Sequence, residues 1–543
     1  MAQAKPTYQM SDPYPWTLSS ILPLIPAALV ALALLTRLIT GLQTDAPGTG
    51  SSRPPPRVPY WIPFLGSYPQ FLLNPVRVLQ DARKAFPTGI FTLTLIRRKY
   101  HIIASSSLAG AFLTDDPRGE NYAARTSFLV STFGLRPADA AAYEDALSAL
   151  DETLFPHATL GPLTKPLTRA LQERLPDILT FNPQLIDQEP WERLSGIELD
   201  DDRNVAEVSL FPLLTVFLTH LVTDTLLTPT LLAQQPDIAP LLTTLTAALP
   251  PTPLHPALRP NPSRRTLLSH LHTLHADLLT DAEALNPTLA ARHALLPHPS
   301  MRVADTAALL TAFHARHVLA FWLLLNLHAS PPLLAKVRAE IRKAVKATQP
   351  EQLMGYATPP RLVIDADALS WCAVLRAAWT ETTRVYGRGW HVKQLKRDSA
   401  VQTRRETALR PGSEWALGQG ESVHVPCGLV NSDPAWWTDP GRWLVKRFLV
   451  PMEEDHMLYV VGVRGEAGVY SMGEEEVGEM LGLEFVAGFL ALYELEGVGG
   501  DAVMVPDAVE AAGVALPAGD VRVLIRRREL EVETLEKEGE KEE

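Results

Sequence analysis

The longest uncharged run comes near the start of the chain. Trp16 to Thr36 reads WTLSSILPLIPAALVALALLT, with no charge between Asp12 and Arg37. As a helix, that length matches the hydrocarbon core of a bilayer. Pro23 and Pro26 kink a spanning helix without forbidding it. The pattern predicts a single-pass anchor over residues 16–36 behind a short luminal N-terminus, residues 1–15. A cleaved signal peptide is the competing reading. Against it, the run is long, and the residues before it are polar and carry Asp12. Arg37, Arg53 and Arg57 follow the span and put the body on the cytoplasmic side. Residues 37–57 form a polar linker and a proline hinge; consecutive prolines favour a stiff polyproline II rod.

Further on, the periodicity alternates between helical and strand-like. Val76–Phe86 reads as an amphipathic helix, followed by apolar strands Ile90–Leu95 and His101–Ala104. Residues 118–300 have a helical pattern, strongest in VAEVSLFPLLTVFLTHLVTDTLL and then broken repeatedly by proline. The His and Thr residues here are expected at solvated or turn positions rather than as ligands. A long helix is predicted over Val303–Leu327, ended by SPP, and another over Leu333–Val345. Asp305-Thr306 reads as helix-start chemistry. Arg316 and His317, in mid-helix, are expected to face a polar contact or solvent. Near the end come an apolar helix, VGEMLGLEFVAGFLALYELEGV, and a strand, DVRVLIRRRE. The acidic tail, residues 531–543, is expected to be disordered.

Composition narrows the class. The 543 residues are 46% hydrophobic, enough for a sizeable core. The net charge of -12 is a poor footprint for nucleic acid, so no nucleic-acid partner is expected. Two cysteines, Cys372 and Cys427, make no disulfide framework and fit a reducing compartment. Both read as small buried apolar residues, with Cys427 on the strand before NSDP.

Three motifs carry the chemistry. Glu381-Thr-Thr-Arg384 puts an acid and a base on one helix face. Strand-like WHVKQLKRD follows, then Asn431-Ser-Asp-Pro434 and Arg447-Phe448. Last is RGEAGVYSMG, Arg464 to Gly473. This order, with the anchor, the proline hinge and PYWIPFLG, resembles a microsomal cytochrome P450. It is most similar to the branch holding sterol 7-hydroxylases, prostacyclin synthase and fungal secondary-metabolism oxidases. The resemblance implies an α+β fold, mainly α, with small β-sheets and a catalytic body over residues 58–530. It implies a buried charge triad of Glu381, Arg384 and Arg447 that fixes the layer beneath a haem. The helix near Phe313, His314 and His317 would cross the cofactor face, making these substrate-pocket candidates. Arg316 or His317 would touch substrate or a haem propionate on the functional reading. The acid and alcohol pair that many members carry there is absent from residues 313–317.

In the resembled family, a loop of the form F-G-x-G-x-x-x-C-P-G holds the iron through its cysteine. An ungapped overlay puts Arg464 at the Phe, Gly465 and Ala467 at the first two glycines, Ser471 at the Cys, Met472 at the Pro and Gly473 at the last Gly. The register is open by one residue, and no register supplies a cysteine. Tyr470 and Met472 are haem-ligand types, but neither replaces the thiolate push. Glu474, Glu475 and Glu476 stand where the family has a basic residue. The implied function is a haem monooxygenase of secondary metabolism. It would sit in the endoplasmic reticulum membrane, oxidise a lipophilic small molecule and draw electrons from a membrane-bound NADPH reductase. The alternatives are a derived protein that performs a redox-neutral cyclisation or rearrangement or only binds ligand, and a product whose true loop was lost to a misplaced exon boundary.

Overall fold

Apolar helices dominate the chain and set its architecture. In the computed structural model they are α1 (Leu24–Leu42), α2 (Pro75–Ala85), α3 (Ala140–Leu154), α4 (Thr164–Arg174), α5 (Leu210–Leu226), α6 (Ile238–Ala248), α7 (Pro287–Leu295), α8 (Pro299–His328), α9 (Pro331–Ile341), α10 (Ala373–Tyr386) and α11 (Glu475–Leu492), with shorter helices between. The structure describes residues 24–42, 52–114, 122–154, 163–200, 204–227, 235–249, 254, 262–278, 286–350, 359–395, 397–402, 414–451, 457–459, 475–500 and 502–533. Helix content exceeds strand content, and the sheets are small.

Helices α2, α7, α8 and α9 each open with proline in the first turn, where the missing N–H has no helical partner to lose. α5 and α8 are apolar almost all round, which demands burial on every side. A closed ring meets the demand, with α4 against α5, α5 against α8, α8 against α11 and α11 back against α4. Phe211 meets Phe321 edge-on at 5.1 Å between ring centroids, and Phe217 lies 6.0 Å from Phe485. By length and hydropathy α8 could also cross a membrane, but 72% of its apolar window is buried inside the protein. It is a core helix. α10 packs onto the ring at Gly482 of α11, where a Cβ would overlap the Trp379 ring.

Among the described residues, two of the small sheets are built from β1 (Ile90–Leu95), β2 (Arg98–Ile103), β3 (Val205–Ser209), β4 (Trp390–Gln394), β5 (Ser422–Pro426), β6 (Tyr493–Gly497) and β7 (Arg522–Arg527). One sheet has the order β1-β2-β5-β4, with β2 and β5 parallel. The other runs β6-β7-β3 and ends on Glu198–Leu199, antiparallel throughout. The proline hinge lies along the free edge of β1, not away from the body. Thr92 donates to the Pro56 carbonyl at 2.7 Å, and Val58 donates to the Thr92 carbonyl at 2.9 Å.

Several expectations shift. The apolar N-terminal helix is described over Leu24–Leu42 and so runs into the expected linker; residues 16–23 lie outside the described residues. Such a helix could span a membrane or be a signal sequence. The second strand is Arg98–Ile103, because the basic turn residues pair as well. Cys427 starts a short helix, Cys427–Val430, after β5. The predicted Leu333–Val345 helix ends at Ile341, and Val345–Pro350 is a strand. That strand pairs with Glu531–Glu533, so the first residues of the expected tail belong to the fold; residues 534–543 lie outside the described residues.

Among the buried acids of the ring helices is Glu484 of α11, fully buried against α4. Both its oxygens lie 2.9 Å from the Thr168 hydroxyl, which also lies 3.1 Å from the Thr164 carbonyl. One hydroxyl proton cannot serve both. A neutral Glu484 resolves this by donating to Thr168 while Thr168 donates to Thr164. Burial lifts this carboxyl to about 7 from an ordinary 4.5. A raised folded-state pKa gives stability that is complete below the unfolded value and is lost as pH rises through the folded one. Stability of the native chain should therefore fall by roughly 3 kcal/mol between pH about 4.5 and about 7.5. Glu484→Gln should flatten that slope in urea titrations; an unchanged slope would refute the assignment.

Candidate functional site

The best-ordered polar constellation sits where α10 meets the segment after β5. Arg384 forms a fork on Glu381, with Nε to Oε2 at 2.7 Å and Nη2 to Oε1 at 2.8 Å, and both side chains are buried. Arg447 approaches the same carboxylate at 3.3 Å. The structure thus brings Glu381, Arg384 and Arg447 together. A buried pair is costly unless its remaining valences are met. Here Arg384 also donates to the carbonyls of Asn431, Pro440 and Arg442, and Leu444 N–H donates to Glu381 Oε1 at 2.7 Å. The Trp437 ring covers both guanidinium groups, at 5.2 and 5.9 Å from its centroid. One ion pair therefore holds five points of residues 431–447. The Asn431–Pro434 turn has its own ties. Asp433 accepts from Ser106 N–H at 3.2 Å, and Arg83 of α2 donates to the Leu429 carbonyl at 2.6 Å.

The triad's shell is also the floor of a cleft of about 370 Å³. Arg384, Asn431, Pro440 and Gly441 line it below; Val76, Leu79, Trp390 and Leu429 supply apolar walls. Its rim is Arg388 ion-paired with Glu510 at 2.7 Å. The volume suits a small organic ligand. None of Arg388, Trp390, Leu429 and Glu510 was evident from the sequence, because no short motif joins residues from α2, α10, β4 and the Pro506–Glu510 segment. The available signal was GRGW, residues 387–390, directly after the E-x-x-R helix.

The middle of α8 is packed against protein. Phe313, His314 and His317 are all buried. His314 lies 3.4 Å from Thr219 of α5 and 3.3 Å from Thr243 of α6; His317 lies 3.3 Å from Thr219. Burial lowers the His314 pKa to about 4 and that of His317 well below the usual range, so both are neutral at pH 7. The expectation that middle-region His and Thr residues are solvated is corrected, since Thr219, His220, Thr223 and Thr246 are all buried. α5 needs burial nearly all round and α6 on one face, and the polar side chains on those faces go in with them. Arg316 lies against Gly478 of α11.

Asp305 also departs from its expected role. α8 starts at Pro299, so Asp305 sits beyond the first turn. It accepts a fork from Arg292 of α7 at 2.7 and 2.8 Å and a 2.7 Å hydrogen bond from Tyr143 of α3. Burial opposes this carboxylate and Arg292 outweighs it, so its pKa falls below the ordinary value. An aspartate inside an apolar helix needs a buried cation, and that rule was the available signal.

The loop residues Gly465, Tyr470, Ser471, Met472 and Gly473 lie outside the described residues. The chain's two thiols can be placed. Cys372 stands just before α10, beside the Glu340 backbone carbonyl, and burial followed by the Glu340 charge pushes it up to about 12. Glu340 itself receives the first N–H groups of α10. Cys427 is fully buried among Ile103, Val425 and Val430. Burial and the Glu340 charge both disfavour a thiolate at Cys372. These two packed cysteines do not fit a haem held through a cysteine thiolate. No protein-family model matches the chain, and no curated protein matches it significantly.

Removing one partner of the triad isolates a buried charge. Arg384→Leu should destabilise the detergent-solubilised protein by about 3–5 kcal/mol in urea unfolding. Glu381→Leu combined with Arg384→Leu should recover part of that loss. A double variant no better than the single one would contradict the pairing.

Proposed function

We propose that the chain is a membrane-anchored protein of cytochrome P450 type that holds a lipophilic small molecule and acts on it without thiolate-driven oxygen chemistry. The observation that carries this reading is an intact triad beneath a cleft in a chain whose two thiols are both committed to packing elsewhere. Redox-neutral chemistry fits what remains. A half-open cleft with apolar walls and an ion pair at its rim can hold a flexible substrate in a reactive fold, and orientation alone accelerates cyclisation or rearrangement. The haem monooxygenase of secondary metabolism is the second reading. The triad favours it, because in the resembled family that triad fixes the layer under the cofactor. That reading brings a membrane-bound NADPH reductase and the endoplasmic reticulum with it.

Two measurements separate the readings. The reduced protein under carbon monoxide should give no haem-thiolate absorption band, and transcript sequencing across residues 457–478 should return the codons for Met457 to Gly478 as they stand. A thiolate band overturns the first reading, and a cysteine in the transcript reduces the loop to a splicing error. For the cleft, an anilinonaphthalene dye should bind the native chain. Ala508→Trp, placed on the exposed lining, should remove the share of that binding due to the cleft, the exposed apolar helix keeping the rest, while leaving the melting temperature unchanged. Undiminished dye binding would remove the cleft from consideration.

A further inference from the structure

The β1–β2–β5 sheet buries a histidine that cannot satisfy all its neighbours while it is neutral. His101 of β2 lies opposite Thr92 of β1, and both are buried. His101 Nδ1 is 3.0 Å from the Thr92 hydroxyl, and that hydroxyl is 3.3 Å from the Pro55 carbonyl of the proline hinge. On the other side of the ring, Nε2 lies 2.9 Å from Glu421 Oε2, an ion-pair contact without hydrogen-bond alignment. The same stretch of hinge is tied to β1 by two main-chain bonds, Thr92 N–H on the Pro56 carbonyl at 2.7 Å and Val58 N–H on the Thr92 carbonyl at 2.9 Å. α1 docks directly after it. Arg37 donates to the Pro59 carbonyl, and Tyr60 N–H donates to Thr40 at 3.3 Å.

A hydroxyl has one proton to give, and a neutral imidazole has one N–H. With the ring proton on Nε2, facing Glu421, Thr92 must donate to Nδ1, and the Pro55 carbonyl receives nothing from it. With the proton on Nδ1, Thr92 can donate to Pro55, but a bare lone pair then faces the Glu421 carboxylate at 2.9 Å. That repulsion makes the Nε2 tautomer the better neutral form. Only the imidazolium presents an N–H to Thr92 and to Glu421 together, and so leaves the Thr92 proton for the hinge.

We propose that His101 is a proton-operated latch on the proline hinge: its imidazolium frees the Thr92 hydroxyl to hold the Pro55 carbonyl, and the neutral ring takes that hydroxyl back. The groups around the ring set where the latch works. Burial lowers the His101 pKa below the ordinary value, Glu421 opposes that shift, and Lys99 of β2 and Arg57 of the hinge add to it. His424 of β5 stays neutral, since burial and then the His101 charge bring it to about 3. Lys393 of β4, in register with the Val423 that pairs with His101, is turned to the Phe112 carbonyl at 3.1 Å. The latch is therefore open at neutral pH and closes on acidification. Closure tightens the hinge locally while the fold as a whole loses stability, because a histidine with a depressed folded-state pKa favours the unfolded chain as pH falls.

Hydrogen–deuterium exchange of the full chain in detergent, corrected for the intrinsic pH dependence of exchange, tests the latch. Residues 54–60 read PPPRVPY, so a peptide covering them reports amides only at Arg57, Val58 and Tyr60. Protection of that peptide is taken relative to peptides of α8, which follow the fold as a whole. One hydrogen bond gained predicts relative protection about two- to ten-fold higher near pH about 4.5 than near pH about 7.5. Thr92→Val keeps the shape and removes the hydroxyl, so it should erase the difference with His101 still in place. His101→Gln, which cannot take a proton, should erase it too. Equal relative protection at the two pH values in the unmodified chain overturns the latch, and so does a difference that survives Thr92→Val.

Discussion

The carboxylate of Glu381 is the point on which this architecture turns. It is buried, and it gathers Arg384, Arg447 and the Leu444 amide onto two oxygens. Through Arg384 it reaches three carbonyls of a segment that carries little regular structure of its own. Irregular chain inside a protein must find partners for its peptide groups. Residues 431–447 find many of theirs in one guanidinium. Neither charge is dispensable once the other is buried, and this explains why an exposed pair would be a poor substitute.

A second fork, Arg292 on Asp305, repeats the arrangement across α7, α8 and α3. The two pairs fix different things. Glu381 and Arg384 fasten irregular chain to a helix, whereas Arg292 and Asp305 fix the register between helices. Oil-like packing alone tolerates sliding, but a buried fork has one good geometry. Glu484 is the exception, a lone acid given a hydroxyl and no cation. It tolerates burial only by keeping its proton, so the ring around it carries a dependence on pH near neutrality.

Periodicity located α2, α8 and α9 to within about four residues, because long apolar runs have few alternatives to burial, whereas residues 118–300 showed a helical pattern without boundaries. The Glu381–Arg384 spacing put two opposite charges on one helix face, but spacing alone fits an exposed pair equally well; the order of the motifs after it, and the resemblance they carry, marked the pair as buried. Other features were hidden by distance along the chain. Asp305 finds partners at positions 143 and 292, and the cleft draws its walls from residues near 80, 390, 430 and 510. Strand Glu531–Glu533 was obscured by its charges, which suggest a solvated tail, yet its backbone pairs with Thr348–Pro350. Sheet hydrogen bonds belong to the main chain and are indifferent to such side chains when these face outward.

The sheet that joins β3 to β7 has a kinetic consequence. Val205–Ser209 pairs with Arg522–Arg526, more than 300 residues later. At about 5–20 residues per second, a ribosome takes on the order of tens of seconds to supply the second strand. α5 follows β3 directly, and its ring cannot close until α11 has also emerged. During that interval a nearly all-apolar helix waits without its final neighbours. The nascent chain is thus obliged to depend on helpers that shield apolar surface, and its yield in any host will be set by translation speed and chaperone supply as much as by the stability of the finished fold.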